Sequence, residues 1–229
     1  MQYRPFGKTG FDVSALGFGT MRLPVTGGDP ANIDRRETIR MIRHAIDNGV
    51  NYADSAYAYH NGQSAVVLGE ALRDGYRGRV RIATKLPTWL VQKEEDVEEL
   101  LDTQLKRLQQ EHIDFYLVHN LNSALWPIAR DCDVLPALER ARDKGKIGHI
   151  GFSFHDSFDL FQEIVDASAL FEVADAMPGW KADVASFFDP SGPYNPVSYT
   201  HLRAHETVLD LVCRLLLEKK KQNRQITEV

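Results

Sequence analysis

Four side chains in this 229-residue chain could together deliver a proton to an oxygen: Asp54, Tyr59, Lys85 and His119. Asp54, Lys85 and His119 each close a short apolar run (VNYAD, VRIATK, FYLVH), and Tyr59 follows Asp54 by five residues. A lysine ending a strand that is covered on both faces needs a counter-ion, because burying an unpaired charge is very costly. Asp54, at the end of the preceding run, is the candidate partner. A cation beside a phenol favours the phenolate and makes Tyr59 a better proton donor near neutral pH. His119 can hydrogen-bond the same substrate oxygen and orient it. No nucleophile–base pair and no metal-ligand spacing accompanies them, so the set suits reduction of a carbonyl group or its formation. Each residue alone also has a plainer reading: Asp54 as a helix cap, Tyr59 as a rim residue, Lys85 as a structural ion pair, His119 as a core histidine. Tyr57 is a rival for the tyrosine's role, and a Schiff base on Lys85, as in a lyase or isomerase, is a further alternative. Their joint occurrence on successive run ends favours a functional reading.

The elements that must carry these residues follow from the spacing. Apolar runs end at Thr20, Asp54, Lys85, His119 and Phe152, at intervals of 31–34 residues. A strand, an amphipathic helix and two connections take about 30 residues or more. The expected fold is therefore α/β, an incomplete (β/α)8 barrel with about five βα units. A β-hairpin turning at Lys8–Gly10 precedes it. In such barrels the chemistry sits at the carboxyl ends of the strands. The first strand is expected over 15–20 and the others at VNYAD, RVRIATK, IDFYLVH and KIGHIGFSF. Helices are expected near 35–49, 64–74, 93–111, 134–144 and 157–166. After Ala167 the periodicity stops, and a Pro/Gly/Ser-rich stretch leads to one more helix near 206–221. Two regions result: a partial barrel over 1–167 and a non-barrel tail over 168–229.

Composition narrows the function further. Apolar residues make up 43% and charged residues 26%, as in ordinary globular proteins. A net charge of −5 gives no reason to expect nucleic acid or an anionic membrane as partner. No 18-residue apolar run is present to span a bilayer, and the opening MQYRPFGKTG lacks a signal peptide's apolar stretch. Two distant cysteines, Cys132 and Cys213, form no redox or metal spacing. A cytoplasmic setting and a small-molecule substrate are expected, and oligomeric state has no signature in the sequence.

The segments VNYADSAYAYHNG, ATK, FYLVHN and FGKTGFDVSALGFGT resemble the aldo-keto reductase family over roughly residues 2–167. The resemblance implies a (β/α)8 barrel, a carbonyl substrate, and a catalytic tetrad of Asp54, Tyr59, Lys85 and His119. It also implies that Gly19, Thr20 and Met21, with Asp54 and Ser153, lie at the nicotinamide end of NADP(H), or of NAD(H). Trp89 and Trp126, on loops after the third and fourth strands, are expected to line the substrate pocket. Where family members usually carry Ser-Asn after the fifth strand, this chain reads GFSFHDS. That version looks like a subgroup with a C-terminal iron–sulfur segment, whose cysteines are missing, so no iron–sulfur cluster is expected. The segment PVSYTHLRAHETVLDLVCRLLLEKKK resembles translated sequencing-adapter DNA, which implies a truncated frame with a non-native end and an impaired enzyme. The alternative of another class is a non-catalytic barrel fragment that senses nicotinamide or binds a partner.

Overall fold

The computed structural model describes residues 1–6, 9–167 and Phe171. Lys8 of the expected turn, the irregular stretch after Ala167 and the C-terminal helix lie outside the described residues. Strands β1 (Tyr3–Pro5) and β2 (Asp12–Ser14) form the expected antiparallel hairpin, with Tyr3 opposite Ser14. The hairpin seals the amino-terminal end of the sheet. Phe6 packs edge-on against Tyr52 and Phe115, with ring centroids 5.7 and 5.2 Å away. Asn51 fastens it, accepting the Ser14 N–H at 2.8 Å and donating to the Asp12 carbonyl at 2.8 Å.

Five parallel strands then lie side by side in chain order: β3 (Phe18–Gly19), β4 (Tyr52–Asp54), β5 (Arg81–Leu86), β6 (Ile113–Leu121) and β7 (Ile147–Phe154). Helices α1 (Arg35–Asp47), α2 (Gln63–Ala71) and α3 (Glu95–Leu108) supply the first three crossovers. Two helices, α4 (Leu125–Asp131) and α5 (Val134–Asp143), make the fourth, and α6 (Phe158–Ala167) follows β7. The apolar stripes read from the sequence face inward: Ile42 and Ile46 of α1, Leu101 and Leu108 of α3, and Leu138 of α5 are all buried. Each such side chain contributes roughly 1.5–3 kcal/mol of transfer free energy.

Three local departures from expectation have physical causes. β3 is two residues long rather than six, because Ala15 still belongs to the hairpin through its N–H bond to the Gln2 carbonyl. α4 was not expected, since seven residues are too few to show a helical period. Pro127 is its third residue, where an N–H would have no intrahelical partner. The Asn122 Oδ1 starts the helix by accepting the Ala124 and Leu125 amides at 3.0 Å each. Finally, the β6–β7 register shifts between Val118 and Leu121, so His119 and Asn120 occupy an irregularity, Asn120 with φ 58°.

Close packing of α2 on the end of α3 depends on Gly69, where a Cβ would stand 2.2 Å from the Leu108 carbonyl oxygen. Mid-helix Gly→Ala normally stabilises by about 0.5–1 kcal/mol. Here the sign reverses, because the obstruction is backbone: Gly69→Ala is expected to destabilise by roughly 1–3 kcal/mol, read from the urea midpoint.

Candidate active site

The parallel register aligns Asp54 of β4 with Ala83 of β5, so Lys85 stands one inward-facing step nearer the rim. Its Nζ donates to both Asp54 carboxylate oxygens at 2.7 Å and to the Ser55 carbonyl at 2.8 Å. The two side chains are 1% and 3% exposed. An ammonium has three donors, and all three are engaged. This argues against the Schiff-base alternative, which needs a free and accessible amine. Asp54 is held in turn through its backbone. Its carbonyl accepts both the N–H and the hydroxyl of Thr20 at 2.9 Å, and Thr20 Oγ1 continues to Ser64 at 2.6 Å and on to Ser55 at 2.8 Å.

Tyr59 opens a tight turn, Tyr59–Gly62, beyond β4. The Lys85 Nζ lies 5.2 Å from its ring centroid. The ring meets His119 edge-on at 6.3 Å, and Trp89 stands 5.2 Å from His119 on the other side. The four tetrad side chains expected from the sequence thus gather at one place on the carboxyl rim. Tyr57, the rival, is committed elsewhere: Arg107 of α3 donates to its carbonyl at 3.0 Å and lies 4.3 Å over its ring. Burial, chiefly, with the nearby Lys85 charge and His155, pushes the His119 pKa down to about 3. Its Nδ1 is buried and makes no hydrogen bond within the described residues. The imidazole is therefore neutral at physiological pH.

The remaining expected site residues fall into two groups. Gly19 is exposed at the end of β3 with open space where a Cβ would stand, Met21 is 46% exposed, and Trp89 is 41% exposed. These three face the rim. Thr20 is fully buried and spends its side chain on the hydroxyl chain beneath Asp54. Ser153 is also buried, its Oγ accepting the Asn120 N–H at 2.7 Å and fixing the β6 irregularity. Trp126 lies apart from these. It is 3% exposed, and its indole N–H donates to Glu163 of α6 at 2.8 Å. Three residues with structural roles at the site had no assigned role in the sequence: His60, Arg107 and Asn120. Their roles rest on backbone conformation, which leaves no mark in composition or spacing. Among the described residues, no group of three or more His, Cys, Asp or Glu could hold a metal ion, and no helix is long and apolar enough to cross a membrane.

Parallel βα units, with an ion pair, a phenol and an imidazole gathered at the carboxyl rim, define a partial βα barrel. The chain belongs to the aldo/keto reductase family, whose signature, described as "Aldo/keto reductase family", matches residues 15–212. It is 36% identical over 164 residues to the aldo-keto reductase YhdN of Bacillus subtilis, covering 67% of this chain and 47% of that one. Among solved structures it is similar to an aldo-keto reductase from Klebsiella pneumoniae in complex with NADPH, with 29% identity and a TM-score of 0.55, covering 66% of this chain and 49% of that one. It is also similar to the thermostable aldo-keto reductase Tm1743, in complex with the inhibitor epalrestat, with 28% identity and a TM-score of 0.61, covering 76% and 61%. The chain spans about half the length of the curated relatives it matches.

Two outcomes follow from this geometry. Removing either member of the buried pair leaves the other uncompensated, so Asp54→Asn and Lys85→Met are each expected to destabilise by about 3–5 kcal/mol. The double variant should lose less than their sum in urea titrations. His119 contributes the opposite kind of linkage. Its folded pKa is depressed, so the unfolded chain takes up a proton near pH 6.5 that the folded chain refuses until about pH 3. Stability should therefore fall as pH drops through that window, by up to about 1.4 kcal/mol per pH unit. His119→Gln should lose less stability than the unsubstituted protein between pH 7 and pH 5.

Proposed function

We propose that this chain reduces a small carbonyl compound, or forms one in reverse, by NADP(H)-dependent hydride transfer with Tyr59 as the general acid. The observation that carries the reading is the geometry around the phenol, with the buried ammonium of Lys85 5.2 Å from its ring and His119 edge-on to it. Lys85 has its three donors committed to Asp54 and Ser55. His119 stays neutral. Tyr59 is left as the group with a proton to give at neutral pH. The fixed ammonium 5.2 Å from its ring favours the phenolate that proton loss would leave.

His119 has a different task. An unpaired buried N–H is costlier than an unpaired lone pair, so the proton belongs on Nε2 rather than on the partnerless Nδ1. From Nε2 it donates to the substrate oxygen that Tyr59 protonates, and holds it in line. The rim residues fit a nicotinamide: Gly19 leaves space for a flat ring to approach the end of β3, and Met21 flanks it. Bound there, NADP(H), or NAD(H), supplies the hydride. The NADPH held by the Klebsiella pneumoniae relative supports the phosphorylated form. Trp89 offers the substrate an apolar wall beside His119.

The test is NADPH oxidation across a panel of small aldehydes, with Tyr59→Phe beside the unsubstituted protein. Turnover is expected to fall on the order of 10²–10⁴-fold in Tyr59→Phe, with NADPH fluorescence titrations unchanged. Undiminished turnover in Tyr59→Phe would overturn the assignment. NADPH binding without turnover on any aldehyde would favour the non-catalytic, nicotinamide-sensing alternative.

A further inference from the structure

The tyrosine sits on a turn, not on a strand, and the turn is unusual. His60 (φ 52°, ψ 41°) and Asn61 (φ 53°, ψ 35°) both adopt the left-handed conformation, and Gly62 (φ 85°, ψ −5°) follows. Non-glycine residues rarely enter this region, and two in succession persist only where surrounding contacts hold them. On one side the hold is visible in Arg107, which bonds the Tyr57 carbonyl and would meet a Gly62 Cβ at 2.8 Å.

On the other side the hold is His60 itself. Its Nε2 accepts the Leu23 N–H at 3.0 Å, and its Nδ1 lies 2.7 Å from the Pro30 carbonyl. A carbonyl only accepts and a backbone N–H only donates, so one form satisfies both: the neutral imidazole with its proton on Nδ1. Both partners belong to the loop between β3 and α1, and Leu23 lies two residues past Met21. That loop is anchored, because Leu23 packs in a buried cluster with Ile33 and Val67, with Phe18 and Ile39 against it.

We propose that His60 is a positioning residue that staples the Tyr59 turn to the β3–α1 loop. It thereby fixes the proton donor relative to the segment Gly19–Met21, where the nicotinamide would lie. The inference rests on the catalytic reading above for its consequence, but the staple itself is a property of the fold. His60 touches no substrate; it acts through Tyr59 on one side and Leu23 on the other.

The test uses His60→Gly, which keeps the left-handed backbone without strain and removes only the imidazole. Long-range ¹H–¹⁵N spectra of the unsubstituted protein should show His60 neutral with its proton on Nδ1. Amide exchange at Leu23 should be protected there and accelerated in His60→Gly. The variant should lose on the order of 10²-fold in kcat, as misplacing a catalytic group by about 1 Å does, with little change in NADPH affinity. Added imidazole should restore kcat, whereas N-methylimidazole, which cannot donate and accept together, should not. A Leu23 amide as protected in His60→Gly as before, or a kcat that survives the loss of that protection, overturns the proposal. If the unsubstituted protein shows no turnover, the catalytic reading fails on its own. Exchange at Leu23 and the His60 tautomer still decide whether the staple exists.

Discussion

The buried bond between Lys85 and Asp54 is the interaction around which the rest of the rim is arranged. As a source of stability such a pair is unremarkable, since desolvating two charges costs about as much as their attraction returns. Its value lies in fixing a positive charge where water cannot screen it. That one charge acts on two neighbours at once. It helps keep His119 neutral, and it lies beside the Tyr59 ring, where it favours the phenolate. All three ammonium donors are occupied by Asp54 and Ser55, and the charge so fixed lies 5.2 Å from the centre of the Tyr59 ring. The counter-ion must then be immobile. The hydroxyl chain from Thr20 through Ser64 to Ser55 braces the end of β4 that carries Asp54.

His119 is positioned by a comparable arrangement on the next strands. Its carbonyl accepts the Thr88 hydroxyl at 3.0 Å, and the following amide, that of Asn120, is taken by Ser153 at 2.7 Å. Two hydroxyls from flanking segments thus hold the carbonyl and the amide of the one peptide group that joins His119 to Asn120, and the imidazole is aimed by backbone rather than by a bond to its ring. A ring nitrogen without a protein partner is costly to a fold. Its retention is intelligible where the opposite nitrogen has a substrate to address.

The strand-end residues were legible in the sequence because parallel strands in a barrel repeat at a nearly constant interval and their last residues share one rim. Asp54, Lys85 and His119 needed only that period, and Tyr59 only a short step from one of them. The side-chain directions that the sequence left open have one cause. Trp126 and Thr20 were placed correctly along the chain, but the direction of a side chain just past a strand depends on local backbone, which apolar patterning does not encode. Trp126 turns to meet Glu163 on α6, and Thr20 turns inward to Asp54. α4 escaped notice for a related reason, since its start is written in the Asn122 side chain rather than in any apolar stripe.

The same distinction separates the two kinds of precision at this rim. Asp54 and Lys85 stand on strands whose ladder bonds fix them to each other, and His119 stands on the next strand, one residue past its last regular pair with β5. Tyr59 stands on a turn that takes two unfavourable backbone conformations in succession. A loop in that state would relax unless tethered, since each such residue costs on the order of 1 kcal/mol or more. The tethers reach in two directions, Arg107 toward α3 and His60 toward the loop after β3. The turn that carries the phenol is therefore tied to two helical crossovers. A hydride and a proton must arrive at adjacent atoms of one carbonyl group. The proposed donor of one and the segment beside the other would be joined here through a single imidazole, which makes their separation a property of the fold rather than of either loop alone.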